Sequence, residues 1–349
     1  MEFIKPGTHI DFIGKRKIAF ILSLSMILIT VFLLIWRGGP NYGVDFSGGI
    51  LIQVRMESQH SPTEIKEALR PLQLQDSIVQ EFGEKAEFEY LLRLMQTDLE
   101  LTGLSEEIES ILKEHFGEEL EIRRVEIVGP KVGEDLRQKA LFAIFYAILF
   151  IAIYISGRFE LKWLMSLCMA VPLLLAVYIA SSIGAGITWL IIVAMIVTIV
   201  LCWFLKLKYA MGAILALIHD VAITVGAFAL TDREISLTII AALLTIVGYS
   251  LNDTIIVFDR IRENLRRFRK RRLEDVLNGS INETLSRTIL TSVSTLIVVL
   301  SLFILGGGVI HDFAFALLVG VLVGTYSSIF VASPVILIWE SSVSSRSTT

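Results

Sequence analysis

Long apolar runs dominate the chain, and each has the length of a membrane helix. The runs fall near 18–36, 138–156, 163–182, 187–205, 209–230, 235–258, 288–306 and 313–338. About 20 apolar residues, rising 1.5 Å each, cross the hydrocarbon core of a bilayer, so the pattern predicts about eight transmembrane helices. The first run follows Lys15, Arg16 and Lys17 and ends in Trp36-Arg37-Gly38-Gly39-Pro40. It lacks a small-x-small cleavage pattern and reads as a retained anchor.

A polar stretch, 37–136, separates the first run from the second. Its pattern switches between periods of two and of about three and a half. Ile50–Met56, Ser77–Phe82, Glu87–Leu94 and Glu121–Val128 read as strands. Pro62–Leu69, with Ser61 as its cap, and a segment opening at Ser105 read as helices. The order β-α-β-β-α-β is ferredoxin-like. The expected fold class is therefore an α-helical polytopic membrane protein carrying an α+β ferredoxin-like domain. That order specifies a fold and no function.

Composition agrees, since 54% of the 349 residues are hydrophobic. The net charge of −4 says little, because the charges are segregated. The short loops are more telling. Lys15–Lys17, Arg158 and Lys162, Lys206 and Lys208, and the run Arg266-Arg267-Phe268-Arg269-Lys270-Arg271-Arg272 all fall on one side if the spans alternate. The positive-inside rule makes that side the cytoplasm. The chain then divides into a cytoplasmic 1–17, an anchor 18–36, an outer domain 37–136, a bundle 137–338 with a basic cytoplasmic loop at about 259–287, and a cytoplasmic tail 339–349. The basic run reads first as a topology anchor beside anionic lipid. The two cysteines, Cys168 and Cys202, lie inside apolar runs, which argues against a disulfide framework.

The chemistry is concentrated in polar residues on apolar helices. Thr245, Tyr249, Asn252 and Asp253 share a stripe of one predicted helix, extended by Ala241, Ala242 and Gly248. His219-Asp220 and Thr224 lie on another. Arg287 opens the 288–306 run, with Thr291, Ser294 and Thr295 beyond it, and Gly320, Gly324, Ser327 and Ser328 line the last. Hydroxyls and glycines at such positions read first as helix-packing residues. His219-Asp220 equally suits a local ion pair, and Arg287 a membrane surface. Asp253 is different, because a charged Asp at a helix centre costs about 2.5–3.5 kcal/mol on insertion scales and packing needs no charge. One protonatable carboxylate beside one fixed cation is what a proton relay requires. No metal-ligand cluster, nucleophile–base pair or phosphate-cradling loop is visible. Neither an enzyme, a cofactor, a metal nor nucleic-acid binding is expected.

These residues carry a resemblance. Gly248-Tyr249-Ser250-Leu251-Asn252-Asp253-Thr254 with Phe258–Asn264, Ser286-Arg287-Thr288-Ile289-Leu290-Thr291-Ser292, Gly324–Phe330 and Gly43–Gly49 are similar to the SecF family of the RND superfamily. Arg158-Phe159-Glu160 and Leu217-Ile218-His219-Asp220 match as well. The resemblance implies an RND-type bundle with a periplasmic domain after the first helix, in the bacterial inner membrane. It implies partnership with SecD beside SecYEG, with YajC as a further partner, and use of the proton motive force to assist export of polypeptides. It places the family's proton-pathway residues on Asp253 and Arg287, supported by Asn252, Tyr249, Thr245, Asp220, His219 and Thr291. Gly43–Gly49 reads as a turn admitting the chain to the first strand. One departure stands out: about 45 residues separate Arg158-Phe159-Glu160 from Ala210–Ile214, where the family pattern is nearly continuous. They read as an added hairpin, about 163–205, off the proton route. The alternatives are a scaffold subunit that moves no protons, and a half-size RND transporter.

Overall fold

A computed structural model describes residues 9–346, apart from 73, 75–76, 83–87, 95–102 and most of 161–186. Helix α1 (Arg16–Trp36) leads to a short helix α2 (Val44–Ser47) and then to the outer domain. That domain comprises β1 (Gly49–Met56), α3 (Pro62–Ala68), β2 (Ile78–Phe82), β3 (Glu89–Leu94), α4 (Leu104–Phe116) and β4 (Leu120–Val128). The order matches the pattern expected from the sequence, with ends differing by a residue or two. The strands form one antiparallel sheet, β2-β3-β1-β4, in which Ile52 pairs with Leu92 and Val125. Strand alternation sends Ile50, Ile52, Val54 and Leu92 to one face, where they pack against Ile65, Leu69, Ile108 and Leu112 of the helical layer. Ser61 does cap α3: its hydroxyl accepts from Glu64 N at 3.2 Å, and the Glu64 carboxylate accepts from Ser61 N at 2.9 Å. This reciprocal pair satisfies two orphan amides at the helix start.

The bundle follows: α5 (Pro130–Glu160), α6 (Ile187–Phe204), α7 (Lys208–Thr231), α8 (Leu237–Arg267), α9 (Leu273–Leu305), α10 (Gly308–Ser327) and α11 (Ser333–Arg346). Among the described residues, six helical segments are long and apolar enough to cross a membrane, with α10 and α11 together forming the last, Ile310–Glu340. Of the expected hairpin, about 163–205, α6 covers the second half; Cys168 and most of the expected 163–182 span lie outside the described residues. Helix α6 packs on α5 through Ala194 against Phe145 and Leu149, and Trp203 meets Trp339 edge-on at 4.6 Å. Cys202 is free and buried.

Helix α7 is the most enclosed span, with 61% of its apolar window buried, while α1 and α9 are at 17%. The outward faces of α1 and α9 therefore meet lipid or another chain. Between α10 and α11, Ser328–Ala332 widens into a π-turn. Pro334 follows and has no N–H for the Phe330 carbonyl, which disfavours the regular ladder there. Ser333 Oγ donates instead to the Ser328 carbonyl at 2.8 Å.

Two expectations need correction. The basic stretch 259–287 is not an open loop, because α8 runs on to Arg267 and α9 starts at Leu273. The charged extensions are amphipathic. Phe258, Ile261, Leu277 and Ile281 are buried between them, and buried Asn264 donates to Ser280 Oγ at 3.0 Å and Glu283 at 2.9 Å. Rising charge marks where lipid ends, not where the helix must. It follows that Arg287 lies inside α9 and does not open it.

The outer domain is tied to the bundle by the Gly43–Gly49 run. Gly43 N donates to the Ile235 carbonyl at 3.0 Å, Ile235 N to the Asn41 carbonyl at 2.7 Å, and Leu237 N to Asp45 at 2.8 Å. The run thus does more than admit the chain to β1: it staples the sheet to the α7–α8 turn. Gly48 has φ +72, and a Cβ there would meet Pro130 Cα at 2.7 Å, so only glycine fits against the start of α5. Arg93, 4% exposed, points from β3 into the same joint. It binds Glu234 at 3.1 Å, Ser47 Oγ at 2.6 Å and the Tyr42 carbonyl.

Candidate functional site

Among the described residues two carboxylates are buried in the bundle, and their surroundings are opposite. Asp220 on α7 is 0% exposed. Its Oδ2 accepts from Ser250 Oγ of α8 at 2.5 Å and from Ser327 Oγ of α10 at 2.8 Å. Its Oδ1 lies 2.9 Å from His219 Nδ1. The chain of bonds continues through His219 Nε2 to Ser23 Oγ of α1 at 3.1 Å, and from Ser23 to the Tyr326 hydroxyl at 3.1 Å. Tyr326 gives its proton to the Ala19 carbonyl at 2.7 Å. Ser23 must then donate to Tyr326, and His219 Nε2 must donate to Ser23. One proton lies between His219 Nδ1 and Asp220 Oδ1. The network is complete, and it joins α1, α7, α8 and α10.

Gly324 makes the approach of α10 to α8 possible: a Cβ there would fall 2.9 Å from Ser250 Cβ. Small residues at such a crossing let backbones meet closely enough for short hydroxyl bonds.

Asp253, one helical turn beyond Ser250 on α8, is 1% exposed, and neither carboxylate oxygen has a hydrogen-bond partner. The groups facing it are Ser292 and Arg287 of α9. The Tyr249 hydroxyl on the preceding turn and the Thr288 hydroxyl of α9 are also buried and without partners. Buried polar groups are normally satisfied, so a cluster of orphans around an acid marks a functional site. An ionised carboxylate there lacks the settled hydrogen bonds that burial demands and has only the charge of Arg287 to offset it.

The sequence-predicted residues divide accordingly. Arg287 lies within electrostatic reach of Asp253 and is exposed on the outer surface of α9. His219 and Asp220 form the second, completed centre. Thr245 and Asn252 are not in the seam: with Ala241 and Gly248 they form an exposed stripe on α8, facing away from the bundle. Thr245 donates to the Ala241 carbonyl at 2.8 Å, and Thr291 to the Arg287 and Thr288 carbonyls at 3.1 and 2.9 Å. These threonines satisfy themselves on their own helices. The expected single stripe from Thr245 to Asp253 is therefore two faces, because neighbouring residues lie about 100° apart around a helix. Sequence reasoning missed Ser23, whose signal is a lone hydroxyl on the buried side of α1. It also gave no part to Ser250 and Ser292, which differ from packing serines only in what lies opposite.

Outside the bundle, a cavity of about 560 Å³ separates the open sheet face from the outer helix ends, lined by Leu51, Gln53, Leu91, Glu234 and Asp312 among others. Burial pushes the Glu234 carboxyl above its ordinary range, against the pull of Arg93. Among the described residues no group of His, Cys, Asp and Glu is arranged to hold a metal.

Comparison with known proteins matches this architecture throughout. The SecD/SecF GG motif matches residues 34–59, and the C-terminal region of protein export membrane proteins SecD/SecF matches 107–185 and 178–342. The two pieces of the latter overlap at 178–185, inside the expected hairpin. The protein translocase subunit SecF of Magnetococcus marinus is 41% identical over 347 residues, covering 97% of this chain and 95% of its own. That of Calditerrivibrio nitroreducens is also 41% identical, covering 98% and 97%. Among solved structures, SecDF of Thermus thermophilus, a translocon-associated membrane protein, superposes with a TM-score of 0.71 at 29% identity. The match covers 96% of this chain but spans only 39% of that SecDF chain. With its GG segment, its bundle and its relatives along nearly the whole length in agreement, the chain belongs to the SecF family of protein translocase subunits.

Proposed function

We propose that this subunit pairs with a SecD chain in the bacterial inner membrane, both its termini cytoplasmic, and uses the proton motive force to assist export of polypeptides through SecYEG, with YajC as a further neighbour. Asp253 is the proton-carrying group and Arg287 the fixed charge beside it. The observation that carries this reading is the Asp253 carboxyl itself, buried with no hydrogen bond of normal geometry and within the electrostatic reach of Arg287. Such a group can gain or lose its proton as its surroundings change, which is what alternating access needs. The exposed stripe Ala241, Thr245, Gly248 and Asn252, beside Asp253 on α8, supports the pairing. Small and polar residues facing outward at membrane depth suit a helix of a partner chain better than lipid. One proton crossing the membrane potential supplies about 2.3 kcal/mol per 100 mV.

The test is export of a presecretory protein into inverted membrane vesicles, with and without an uncoupler. Asp253→Asn keeps size and polarity but cannot titrate. It is expected to insert and bind SecD while losing the uncoupler-sensitive part of export. Arg287→Lys is expected to lose less than Arg287→Met, because it keeps the charge. Uncoupler-sensitive export at the wild-type level by Asp253→Asn would leave the scaffold reading in its place.

A further inference from the structure

Ser292 has one proton and two claimants. Its Oγ lies 2.7 Å from Thr325 Oγ1 of α10. Thr325 already gives its own proton to the Val321 carbonyl at 2.8 Å. A hydroxyl has a single proton to donate, so the proton in the Ser292–Thr325 bond belongs to Ser292. Ser292 also faces Asp253 closely enough to act on its carboxyl, whose buried oxygens hold no hydrogen bond of normal geometry. While Ser292 donates to Thr325, it cannot donate to Asp253. That arrangement suits a protonated, neutral Asp253. An ionised carboxylate in the same place demands a donor, and charge-assisted bonds are roughly twice as strong as neutral ones.

We infer that Ser292 is a one-proton switch, bonded to Thr325 while Asp253 is protonated and turned to the Asp253 carboxylate once it is ionised. Ser292 is a positioning residue, and this inference rests on Asp253 being the proton carrier. The switch has a direction because Thr325 lies between two residues that are held elsewhere. Gly324 rests on Ser250, and Ser327 donates to Asp220. The α7–α8–α10 side of the crossing is thus fixed by a complete network. The α9–α10 bond is the part that proton release undoes. Loss of the proton from Asp253 therefore breaks this hydrogen bond between α9 and α10, and proton uptake restores it.

The groups around Asp253 are accounted for element by element. From α9 come Arg287, a fixed charge, and the hydroxyls of Thr288 and Ser292. From α8 itself comes Tyr249, one turn away. From α7 come His219 and Asp220, which share their proton internally and reach α8 only through Ser250. From α5 comes Arg158, bound to Asp259 at 2.6 Å beyond the acid on the cytoplasmic side.

The test is infrared difference spectroscopy of the complex with SecD in liposomes, following the carboxyl band that Asp253→Asn removes. Ser292→Ala deprives the ionised form of its donor, so the pH midpoint of that band is expected to rise by about one unit. Thr325→Val, of nearly the same shape, removes the competing acceptor, so the midpoint is expected to fall. Ser292→Thr restores the wild-type midpoint, and Thr288→Val leaves it in place. A general loosening of packing moves both variants the same way. Same-sign shifts, or no shift in either variant while the band still titrates, would overturn the switch and leave Asp253 as the carrier. A shift in Thr288→Val equal to that expected of Ser292→Ala would give the role to Thr288 and likewise overturn it. A wild-type band that does not titrate between about pH 4 and about pH 9 would remove the carrier itself, and the switch with it.

Discussion

Asp220 and Asp253 lie on neighbouring helices, at similar depth and equally hidden from solvent, yet one carboxylate is bonded by three side chains and the other by none. Burial alone does not distinguish a structural acid from a working one. What distinguishes them is whether the donors needed by the charged form are already in place. At Asp220 they are, in Ser250, Ser327 and His219. At Asp253 they are missing, so the acid must keep its proton or change its surroundings. The contrast suits a stabilising role for the first centre and, under the proposed function, proton transport at the second.

The largest expected effect breaks that contrast from the structural side. Asp220→Ala strands Ser250, Ser327 and His219 as buried donors. Thermal unfolding in mild detergent is expected to show a loss of about 3–5 kcal/mol. Asp253→Asn, which abandons no partner, is expected to unfold within about 1 kcal/mol of wild type. Equal destabilisation by the two would erase the distinction.

Next comes Arg93→Ala at the joint of the two domains. It leaves Glu234 buried without its cation and releases the Ser47 and Tyr42 contacts. A loss of about 2–3 kcal/mol is expected locally, read as faster amide hydrogen exchange at Gly43, Ile235 and Leu237 with the membrane helices unaffected. Exchange that rises equally in α7 and α10 would mean that the joint and the bundle are one cooperative unit.

Much of this was legible beforehand, and the reasons are specific. The strands of the outer domain were readable because alternation in Ile50–Met56 matches a sheet with one covered face. Asp253 was readable because a carboxylate amid apolar residues has few explanations. The division of the polar stripe was not readable, since Asn252 and Asp253 are adjacent in sequence and point to different surroundings. Nor was the end of α8, where charge density rises but Phe258 and Ile261 continue the buried face to α9. The network around Asp220 runs on through His219 to Ser23, nearly two hundred residues earlier, and no local pattern reports that.

A smaller effect sharpens the assignment of the exposed stripe. A side chain at Gly248 meets nothing within 4 Å in this chain. Gly248→Leu is therefore expected to leave the stability of the isolated subunit unchanged while weakening association with SecD about tenfold, or about 1.4 kcal/mol. Quantitative co-purification in mild detergent measures it. Unchanged association would move the partner interface off this face.

The smallest effect is a pH dependence at the joint. Burial raises the Glu234 carboxyl above its ordinary value of 4.5. The folded state then holds that proton more tightly than the unfolded state. The resulting stabilisation is complete below about pH 4.5 and is lost as pH rises through the folded value. Hydrogen exchange at Ile235 is expected to be slightly slower on the acidic side of that window, by less than about 1 kcal/mol. Glu234→Gln is expected to remove the dependence. A slope of the opposite sign would mean that the Arg93 ion pair outweighs burial.

The most direct test of the central contrast is proton uptake by liposomes containing the complex with SecD, followed with an entrapped pH dye under an imposed potential and normalised to folded protein. Asp253→Asn is expected to abolish uptake at wild-type stability, whereas Asp220→Asn is expected to retain uptake per folded molecule despite lower stability. Undiminished uptake by Asp253→Asn, or its loss in fully folded Asp220→Asn, would contradict the account.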